Sequence, residues 1–270
     1  MCIRTSVGKG VRNSNSTDVK TIQYLLNLNL GRIGPLRKLQ IDGKAGRNTI
    51  RVIEEFQRVV QKTKKPDGRV DPPGPTAKTI LALRDGVPKD FSTVILRGIF
   101  ISASEARVNK FAPHLLRQMN QAKMNTRLRR AHFLAQIGHE SGGLRYTEEL
   151  ASGEAYEGRK DLGNTETGDG KKFKGRGLIQ LTGRENYKRF SDSRIPQADY
   201  VDFTTGSNAK KIASSPLLSV EVSIWFWERH KLSKLADSDD LLAITKKING
   251  GTNGLADRRR RLARAKFFLR

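Results

Sequence analysis

The sequence is poor in cysteine, in acidic residues and in long apolar runs, and each shortage excludes a class of protein. Cys2 is the only cysteine among 270 residues, so an internal disulfide is excluded and a reducing compartment is expected. No apolar stretch approaches the roughly 18 residues of a transmembrane helix, and residues 1–10 lack the apolar core of a signal peptide. We therefore expect neither a membrane span nor ordinary secretion.

Histidine is also scarce, and the four histidines form no metal-binding pattern. His132 and His139 are seven residues apart and would share one helix face, but the sequence has no HExxH motif and no supporting cluster of Cys or Asp. A single cysteine near the start also gives no Cys–His nucleophile. The sequence therefore predicts a protein without a metal and without a cofactor.

Acidic residues are outnumbered, since 27 Asp and Glu face 51 Lys and Arg and the net charge is +24. Such a surplus predicts an anionic partner: nucleic acid, a membrane surface or an anionic polymer of a bacterial envelope. Nucleic acid is not expected, because the helix-turn-helix, zinc-finger and aromatic RNA-binding signatures are all missing. The length allows one large or two modest domains, and 36% hydrophobic residues suffice for globular cores.

What the sequence does contain is a pair of glutamates in contrasting surroundings. Apolar residues at three- and four-residue steps predict a helix that begins after a capping Thr126 and stops at Gly142. Glu140 lies in its last turn, where the negative helix end and apolar neighbours disfavour the charged carboxylate. Glu149 follows in a polar loop, where it ionises more easily. A helix-end glutamate by itself is more often a solvated surface residue, but such a pair favours acid–base hydrolysis, above all glycoside cleavage.

Three motifs follow one another around this pair: HESGG, YEGRKDLGNTETGDGKKFKGRGLIQLTG, and INGG followed by ADR. Together they resemble glycoside hydrolase family 19, which holds plant-type chitinases and many phage lysozymes (endolysins). The resemblance extends from Ala131 to Arg258, and GRGLIQLTG is its most specific part. It implies a mainly α-helical, lysozyme-like catalytic domain.

The resemblance also implies roles for particular residues. Glu140 matches the general acid, Glu149 the general base, and Thr182 the residue that helps hold the attacking water. Gln180, Asn249 and Arg258 match positions that line the cleft or support the carboxylates, and they are predicted to bind substrate. Tyr156 and Arg159 are predicted to do so as well, because they lie in a loop over 151–174 that is expected to form one cleft wall. Asn186 is the sixth predicted substrate-binding residue.

The sequence departs from the family pattern at three points. The cysteines that staple plant members are missing, so a secreted plant-type chitinase is not expected. Glu185 stands where plant members carry an aromatic residue in the cleft, which argues against chitin as the substrate. Glu148 lies beside Glu149, so the choice of base between them rests on register alone.

A degenerate repeat occupies the first third of the chain, with IDGKAGRNTI at 41–50 and PDGRVDPPGPTAKTI at 66–80. Each half has an Asp-Gly turn, a short loop, and a Thr and an Ile entering a helix. With Phe56 and Gln57 between the two turns, the pattern resembles the peptidoglycan-binding domain of many wall hydrolases, although it identifies no binding residues. The alternative is a small helical domain of another purpose.

The same patterns predict the domain boundaries. We expect a small three-helix peptidoglycan-binding domain over 8–84, a linker over 85–100 and a larger, mainly α catalytic domain over 101–270. Asp18 is the predicted cap of the first helix, and a capping box that begins at Ser102 is the predicted start of the catalytic domain's first helix.

The chain ends in a basic, amphipathic segment, RRRRLARAKFFLR. It is predicted to be the last helix, with Leu262 and Phe267 packed inward, and its arginines could also contact anionic lipid or lipopolysaccharide. Trp225, Phe226 and Trp227 fall at helical spacing, which favours a core position over a sugar-stacking platform.

These features predict a two-domain phage-type endolysin that cuts the β-1,4 bond between N-acetylmuramic acid and N-acetylglucosamine of bacterial peptidoglycan. An inverting mechanism would require carboxyl groups roughly 6.5–9.5 Å apart. Two alternatives stay open: a bacterial chitinase of the same family, and a wall-binding or nucleic-acid-binding protein without activity. We expect a monomer that stays in the host cytoplasm until another protein opens the membrane, and that then acts on the wall.

Overall fold

The computed structural model of the chain describes residues 2–83, 86–194 and 199–269. They are mainly α-helical, as predicted. The chain divides into two compact units, one formed by Met1–Ser102 with Phe267–Arg270 and the other by Ala103–Lys266. The predicted boundary between residues 84 and 85 lies outside the described residues.

The first unit combines short helices with a two-stranded sheet. Ile22, Ile53 and Ile80 are almost completely buried, because their helical spacing turns them toward one core. The two strands pair antiparallel, with Val7 opposite Val70. The elements in chain order are β1 (Val7–Gly8), α1 (Ser16–Leu28), α2 (Leu30–Ile33), α3 (Arg47–Val59), β2 (Arg69–Val70), α4 (Pro75–Ala82) and α5 (Thr93–Ile99).

A buried glutamine on α1 organises the first half of the sequence repeat. The side-chain amide of Gln23 donates hydrogen bonds to Asp42 Oδ1 (2.8 Å), the Lys44 carbonyl (3.1 Å) and Thr49 Oγ1 (3.2 Å). Its Oε1 accepts from the backbone N–H of Gly43 (3.0 Å). One side chain therefore ties the Asp-Gly turn and the start of α3 to α1.

A second buried glutamine, on α3, repeats the same contacts in the second half. Gln57 donates to Asp67 Oδ1 (2.5 Å), the Arg69 carbonyl (3.1 Å) and Thr76 Oγ1 (3.1 Å), and accepts from the Gly68 N–H (2.9 Å). The repeat thus consists of a helix that supplies a glutamine, an Asp-Gly turn, and a threonine at the start of the next helix.

The segment expected to be a linker is largely part of the first unit. Its residues 93–99 form α5, in which Ile95 and Leu96 are buried. The hydroxyl of Tyr24 on α1 donates to the Val94 carbonyl at 2.6 Å. The sequence pattern does not predict this helix, because Gly86, Pro88 and Gly98 interrupt the periodicity of the segment.

Two helix starts differ from the predicted ones. Asn15, and not Asp18, caps α1. Asp18 is buried and accepts hydrogen bonds of 2.9 Å from the backbone N–H groups of Arg4 and Thr5 and from the Thr5 hydroxyl. Ser104, two residues after Ser102, caps the first helix of the second unit. Both true caps accept a hydrogen bond from a backbone N–H of the first helical turn.

The second unit is built around one helix, α7, which is buried along residues 131–138. Phe133 on this helix meets the edge of Trp227 at 5.4 Å between ring centres, and Trp227 is buried, which confirms its core position. The helices in chain order are α6 (Glu105–Gln121), α7 (Arg127–Glu140), α8 (Asp169–Lys172), α9 (Arg184–Asp192), α10 (Lys211–Ser214), α11 (Pro216–Arg229), α12 (Leu232–Asp237), α13 (Leu241–Asn249) and α14 (Leu255–Phe268). Among the described residues, every helix is too short or too polar to cross a membrane.

The basic segment at the chain end is helical in α14, as predicted. Leu262 and Phe268 are buried, whereas Phe267 is half-buried. Arg259 and Arg260 lie on the exposed face. Part of the apolar side of this helix is therefore used within the fold, whereas Arg259 and Arg260 meet solvent.

Candidate active site

Glu140 is the last residue of α7, and the helix ends where the sequence predicts. Thr126 caps its start by accepting a hydrogen bond from the backbone N–H of Arg129 (3.2 Å). Gly142 and Gly143 follow with φ of +57° and +76°, the left-handed backbone that terminates helices. The side chain of Glu140 stays 18% exposed at this terminus.

Arg258 is the direct partner of Glu140. Its Nη2 donates to Glu140 Oε1 at 2.5 Å, its Nη1 donates to Gln136 Oε1, and its Nε donates to the Asn253 carbonyl at 3.4 Å. The guanidinium is fully buried, and the amide of Gln136 in turn contacts Thr245 Oγ1 at 3.5 Å. Arg258 therefore lies against a carboxylate and brings a positive charge to the end of α7. The protonated state expected for Glu140 stays a prediction.

A second polar pair joins α7 and α14, and each of its two residues lies one position before the corresponding residue of the first pair. His139 Nδ1 is 2.8 Å from Asp257 Oδ2, and Arg261 Nε donates to the same oxygen at 2.6 Å. Burial acts to raise the pKa of Asp257, but the hydrogen bonds from His139 and Arg261 outweigh it and hold the pKa well below its usual range. The end of α7 and the start of α14 are thus joined by two adjacent polar pairs.

Gly254 makes room for this junction. Its φ is +72°, and a Cβ at this position would lie 2.1 Å from Nε2 of His139. A side chain there would push the imidazole away from Asp257.

The carboxylate of Glu149 has a different set of partners, and both of them are neutral. Its Oε1 accepts from the Tyr156 hydroxyl at 2.9 Å, and its Oε2 accepts from the backbone N–H of Gly175 at 3.0 Å. The backbone N–H of Glu149 donates to the Gly175 carbonyl at 2.9 Å. Burial raises the pKa of Tyr156, and the hydrogen bond to Glu149 and its charge add to this effect. Tyr156 therefore stays a neutral donor that orients the carboxylate.

Glu148 differs sharply from its neighbour. Its Oε1 lies 3.1 Å from Nη2 of the buried Arg176 and 3.5 Å from Nζ of Lys174. Residues 148 and 176 also pair as an isolated β-bridge. Glu148 is thus engaged in ion pairs that hold two segments together, whereas Glu149 is not.

The GRGLIQLTG motif brings several predicted site residues together. Gln180 has φ of +59° and donates to the Gly177 carbonyl at 2.9 Å. A Cβ on Gly175 would lie 3.0 Å from Gln180 Oε1 and 3.3 Å from Glu149 Oε2, so both side chains converge on this glycine. Thr182 Oγ1 donates to the Gln180 carbonyl at 3.0 Å, and Asn186 Nδ2 donates to the Thr182 carbonyl at 2.8 Å.

Two predicted substrate-binding residues stand apart from these contacts. Arg159 is 48% exposed and forms a two-pronged ion pair with Asp161 at 2.8 and 2.5 Å. Asn249 is exposed at the end of α13. Within the described part of the chain, no hydrogen bond connects either of them to Glu140 or Glu149. The structure therefore gives them no carboxylate-supporting role.

Three residues around the two glutamates are not predicted by the sequence pattern: Gln136, which accepts from Arg258, Asp257, which pairs with His139, and Lys174, which donates to the Glu149 carbonyl. Gln136 lies four residues before Glu140, so the helical repeat could have placed both on one face. The adjacent positions 257 and 258 could have suggested Asp257 in the same way. Lys174 has no such signal, because its contacts form only in the folded chain.

A metal centre is not found in the described ranges, where His, Cys, Asp and Glu never gather in a group of three or more that could hold an ion. Each of the two candidate carboxyl groups has its own hydrogen-bonding partners.

The chain is similar in sequence to proteins named as a glycosyl hydrolase family 19 domain-containing protein or as endochitinases. A scan against family models finds no match. A glycosyl hydrolase family 19 domain-containing protein of Haemophilus influenzae is 31% identical over 194 residues, which cover 57% of this chain and 91% of that protein. An endochitinase of Arabidopsis thaliana is 31% identical over 121 residues, which cover 45% of this chain and 39% of that protein.

Solved structures are similar in fold. A bacterial family 19 chitinase has a TM-score of 0.51 at 19% identity, over 66% of this chain and 93% of its own. Chitinase C from Streptomyces griseus has a TM-score of 0.50 at 18% identity, over 66% of this chain and 91% of its own.

Proposed function

Because the chain belongs to glycoside hydrolase family 19, we propose that it hydrolyses the β-1,4 bond between N-acetylmuramic acid and N-acetylglucosamine in bacterial peptidoglycan. Family membership makes the chain a glycosidase. The identity of the polymer and the catalytic role of each glutamate are what we propose.

In this proposal Glu140 is the general acid. It transfers its proton to the glycosidic oxygen while the bond from that oxygen to the anomeric carbon breaks. Proton transfer leaves a carboxylate, whose charge the buried Arg258 stabilises across 2.5 Å. The ion pair therefore favours the product side of the proton transfer, which is where an acid catalyst needs support.

Glu149 is the proposed general base. It removes a proton from a water that attacks the anomeric carbon from the opposite face, so the anomeric configuration inverts. Tyr156 and the Gly175 N–H hold its two oxygens without adding a charge. Glu148 is already engaged with Arg176 and Lys174, which favours Glu149 over its neighbour as the base. Thr182 would help hold the attacking water.

The observation that carries peptidoglycan as the substrate is the basic surplus of the whole chain. Residues 1–102 contain 19 Lys and Arg against 8 Asp and Glu, and residues 103–270 contain 32 against 19. Both parts would thus be attracted to an anionic wall polymer. The first unit, with its two glutamine-bound turns, would hold the enzyme on the wall.

The biological setting belongs to the same proposal. The protein would act as a monomeric endolysin that reaches the wall after another protein has opened the membrane. Arg259 and Arg260 on the exposed side of α14 could add contact with anionic lipid or lipopolysaccharide, by charge alone, because the apolar side of the helix is buried.

A second candidate function is chitin hydrolysis. It is favoured by the similarity to a plant endochitinase over 121 residues. Chitin is uncharged, so chitin hydrolysis would leave the surplus of basic residues without a role.

The test is digestion of bacterial peptidoglycan, stripped of outer membrane, and of chitin by the wild type and by Glu140→Gln, with the released ends analysed. We expect the wild type to release reducing ends at N-acetylmuramic acid, with an inverted anomer, and Glu140→Gln to be folded and inactive. Faster turnover of chitin than of wall would favour the second candidate.

Two other results would refute the proposal. Wall that dissolves without new reducing ends would mean that the cut lies in the peptide. Protein that pellets with the wall but releases nothing would mean that the chain only binds.

A further inference from the structure

Lys174 makes an unusual set of contacts just before the GRGLIQLTG motif. Its Nζ donates to the carbonyl of Glu149 at 2.9 Å and to the carbonyl of Ala151 at 3.1 Å. The same ammonium lies 3.5 Å from Glu148 Oε1, and the side chain is only 17% exposed. All three partners belong to one short segment, 148–151, so the donors of one ammonium group hold that segment together.

The segment has no apolar anchor of its own. Leu150, between the two bound carbonyls, is 79% exposed, so its burial does not fix the backbone. The remaining hydrogen bonds of Glu149 are the one that its backbone N–H donates to the Gly175 carbonyl and the two that its carboxylate accepts. Lys174 is therefore the contact that fixes the direction of the chain after Glu149.

We propose that Lys174 is a positioning residue that holds the backbone of 148–151 so that the Glu149 carboxylate faces the attacking water. This inference rests on the proposed function, because it takes Glu149 as the base. Lys174 touches neither the water nor the sugar in this proposal. It acts through the carbonyls of Glu149 and Ala151.

The chain offers a matched control in the same region. Lys171 lies three residues earlier, is 63% exposed and pairs with Glu154 at 2.9 Å. Replacing each lysine by methionine keeps most of the side-chain length and removes the charge and the donors. The experiment measures kcat and KM for release of reducing ends from purified sacculi by Lys174→Met, Lys171→Met and Lys174→Arg, each as the full chain, with thermal unfolding of every variant.

We expect kcat of Lys174→Met to fall about 10- to 100-fold, because a misplaced catalytic group costs about that much. KM should stay within about twofold of the wild type, since sugar contacts are untouched. Lys171→Met should match the wild type, and Lys174→Arg should recover most of the lost kcat because a guanidinium can also donate to both carbonyls.

Three results would overturn the inference: a kcat of Lys174→Met within twofold of Lys171→Met, a loss that appears in KM instead, or a loss that only follows the unfolded fraction. Glu149→Gln separates this failure from failure of the mechanism. If Glu149→Gln is inactive while Lys174→Met is normal, only the positioning role of Lys174 is wrong. If Glu149→Gln is active, Glu149 is not the base and the proposed mechanism itself is wrong.

Discussion

At the scale of single residues, the two candidate catalytic glutamates are held by opposite kinds of partner. Glu140 faces a buried guanidinium, whereas the carboxylate of Glu149 accepts hydrogen bonds from the Tyr156 hydroxyl and from a backbone N–H. A charged partner stabilises the carboxylate that an acid leaves behind. Neutral donors fix the orientation of a base without placing a positive charge against it.

Removing Arg258 should destabilise the protein strongly. We expect Arg258→Met to lower the free energy of unfolding by about 3–5 kcal/mol, because the part-buried Glu140 and the buried Gln136 lose their charged partner. Urea unfolding measures this change. Arg259→Met, on the exposed face of the same helix, is the control and should change stability by less than about 0.5 kcal/mol. An equal loss in both variants would show that the pair is not the cause.

Removing the hydroxyl of Tyr156 should slow the reaction without unfolding the chain. A hydrogen bond to a charged group contributes about 1.5–3 kcal/mol, so we expect kcat of Tyr156→Phe to fall about 10- to 100-fold. Steady-state release of reducing ends checks this, with Tyr200→Phe, at a 39% exposed tyrosine, as the control. An unchanged kcat would mean that Tyr156 does not orient the base.

At the scale of elements, each polar tie joins a helix to a turn or to another helix. In the first unit, Gln23 and Gln57 connect a helix to the following Asp-Gly turn. In the second, His139 and Glu140 connect the end of α7 to the start of α14. Helix ends and turns leave backbone groups unpaired, and these side chains satisfy them or fix their direction.

Replacing the repeat glutamines should have nearly equal effects. We expect Gln23→Ala and Gln57→Ala each to lower the free energy of unfolding by about 2–3 kcal/mol, since each leaves several buried polar groups without a partner. Gln40→Ala, at an exposed glutamine, is the control for urea unfolding. Very unequal losses would contradict the structural equivalence of the two halves.

The contact between α7 and the turn after α12 should make stability depend on pH. Burial lowers the pKa of His132 below 6.5, although the hydrogen bond that its Nε2 donates to Asp239, which also pairs with Lys266, opposes this. The unfolded chain therefore binds more protons below about pH 6.5 than the folded chain, so this contribution is full above that pH and is lost as pH falls.

Thermal unfolding between about pH 7 and pH 5 measures this effect. The melting temperature of the wild type should fall as the pH decreases, and the fall should be smaller in His132→Gln. An equal fall in both proteins would assign the acid sensitivity to other groups, such as Asp257, whose lowered pKa acts in the same direction at lower pH.

At the scale of the whole molecule, positive charge is spread over both parts of the chain. Neither the first 102 residues nor the rest accounts for the net charge of +24 alone. The charge is therefore a property of the general surface and acts over the distance of a Debye length, about 8–10 Å at moderate salt. Attraction to a wall should be broad and weakly directional.

This distribution predicts a strong effect of salt on the wall reaction. Raising NaCl from about 0.05 to 0.5 M should reduce pelleting with purified sacculi and raise the apparent KM on them severalfold, because screening weakens the attraction. Cleavage of neutral N-acetylglucosamine oligosaccharides by the same preparation is the control and should change little. A similar salt effect on both substrates would point to the active site instead of the wall.

The sequence by itself determined the features that depend on near neighbours. The period of apolar residues located α7. Thr126 marked the start of this helix, and the glycines after Glu140 marked its end. The repeated Asp-Gly turns marked the first unit. Such features depend on backbone conformation and on contacts within a few residues, so a linear pattern contains them.

Only the tertiary structure decided which distant residues meet. Arg258 pairs with Glu140 across 118 positions, Lys174 and Arg176 reach residues 148–151 across 23 to 28 positions, and the predicted linker forms α5 within the first unit. Asp18 likewise bonds to the chain start instead of capping α1. These contacts depend on how the elements pack, because each partner is chosen among many similar side chains by position in space and not by spacing in the sequence.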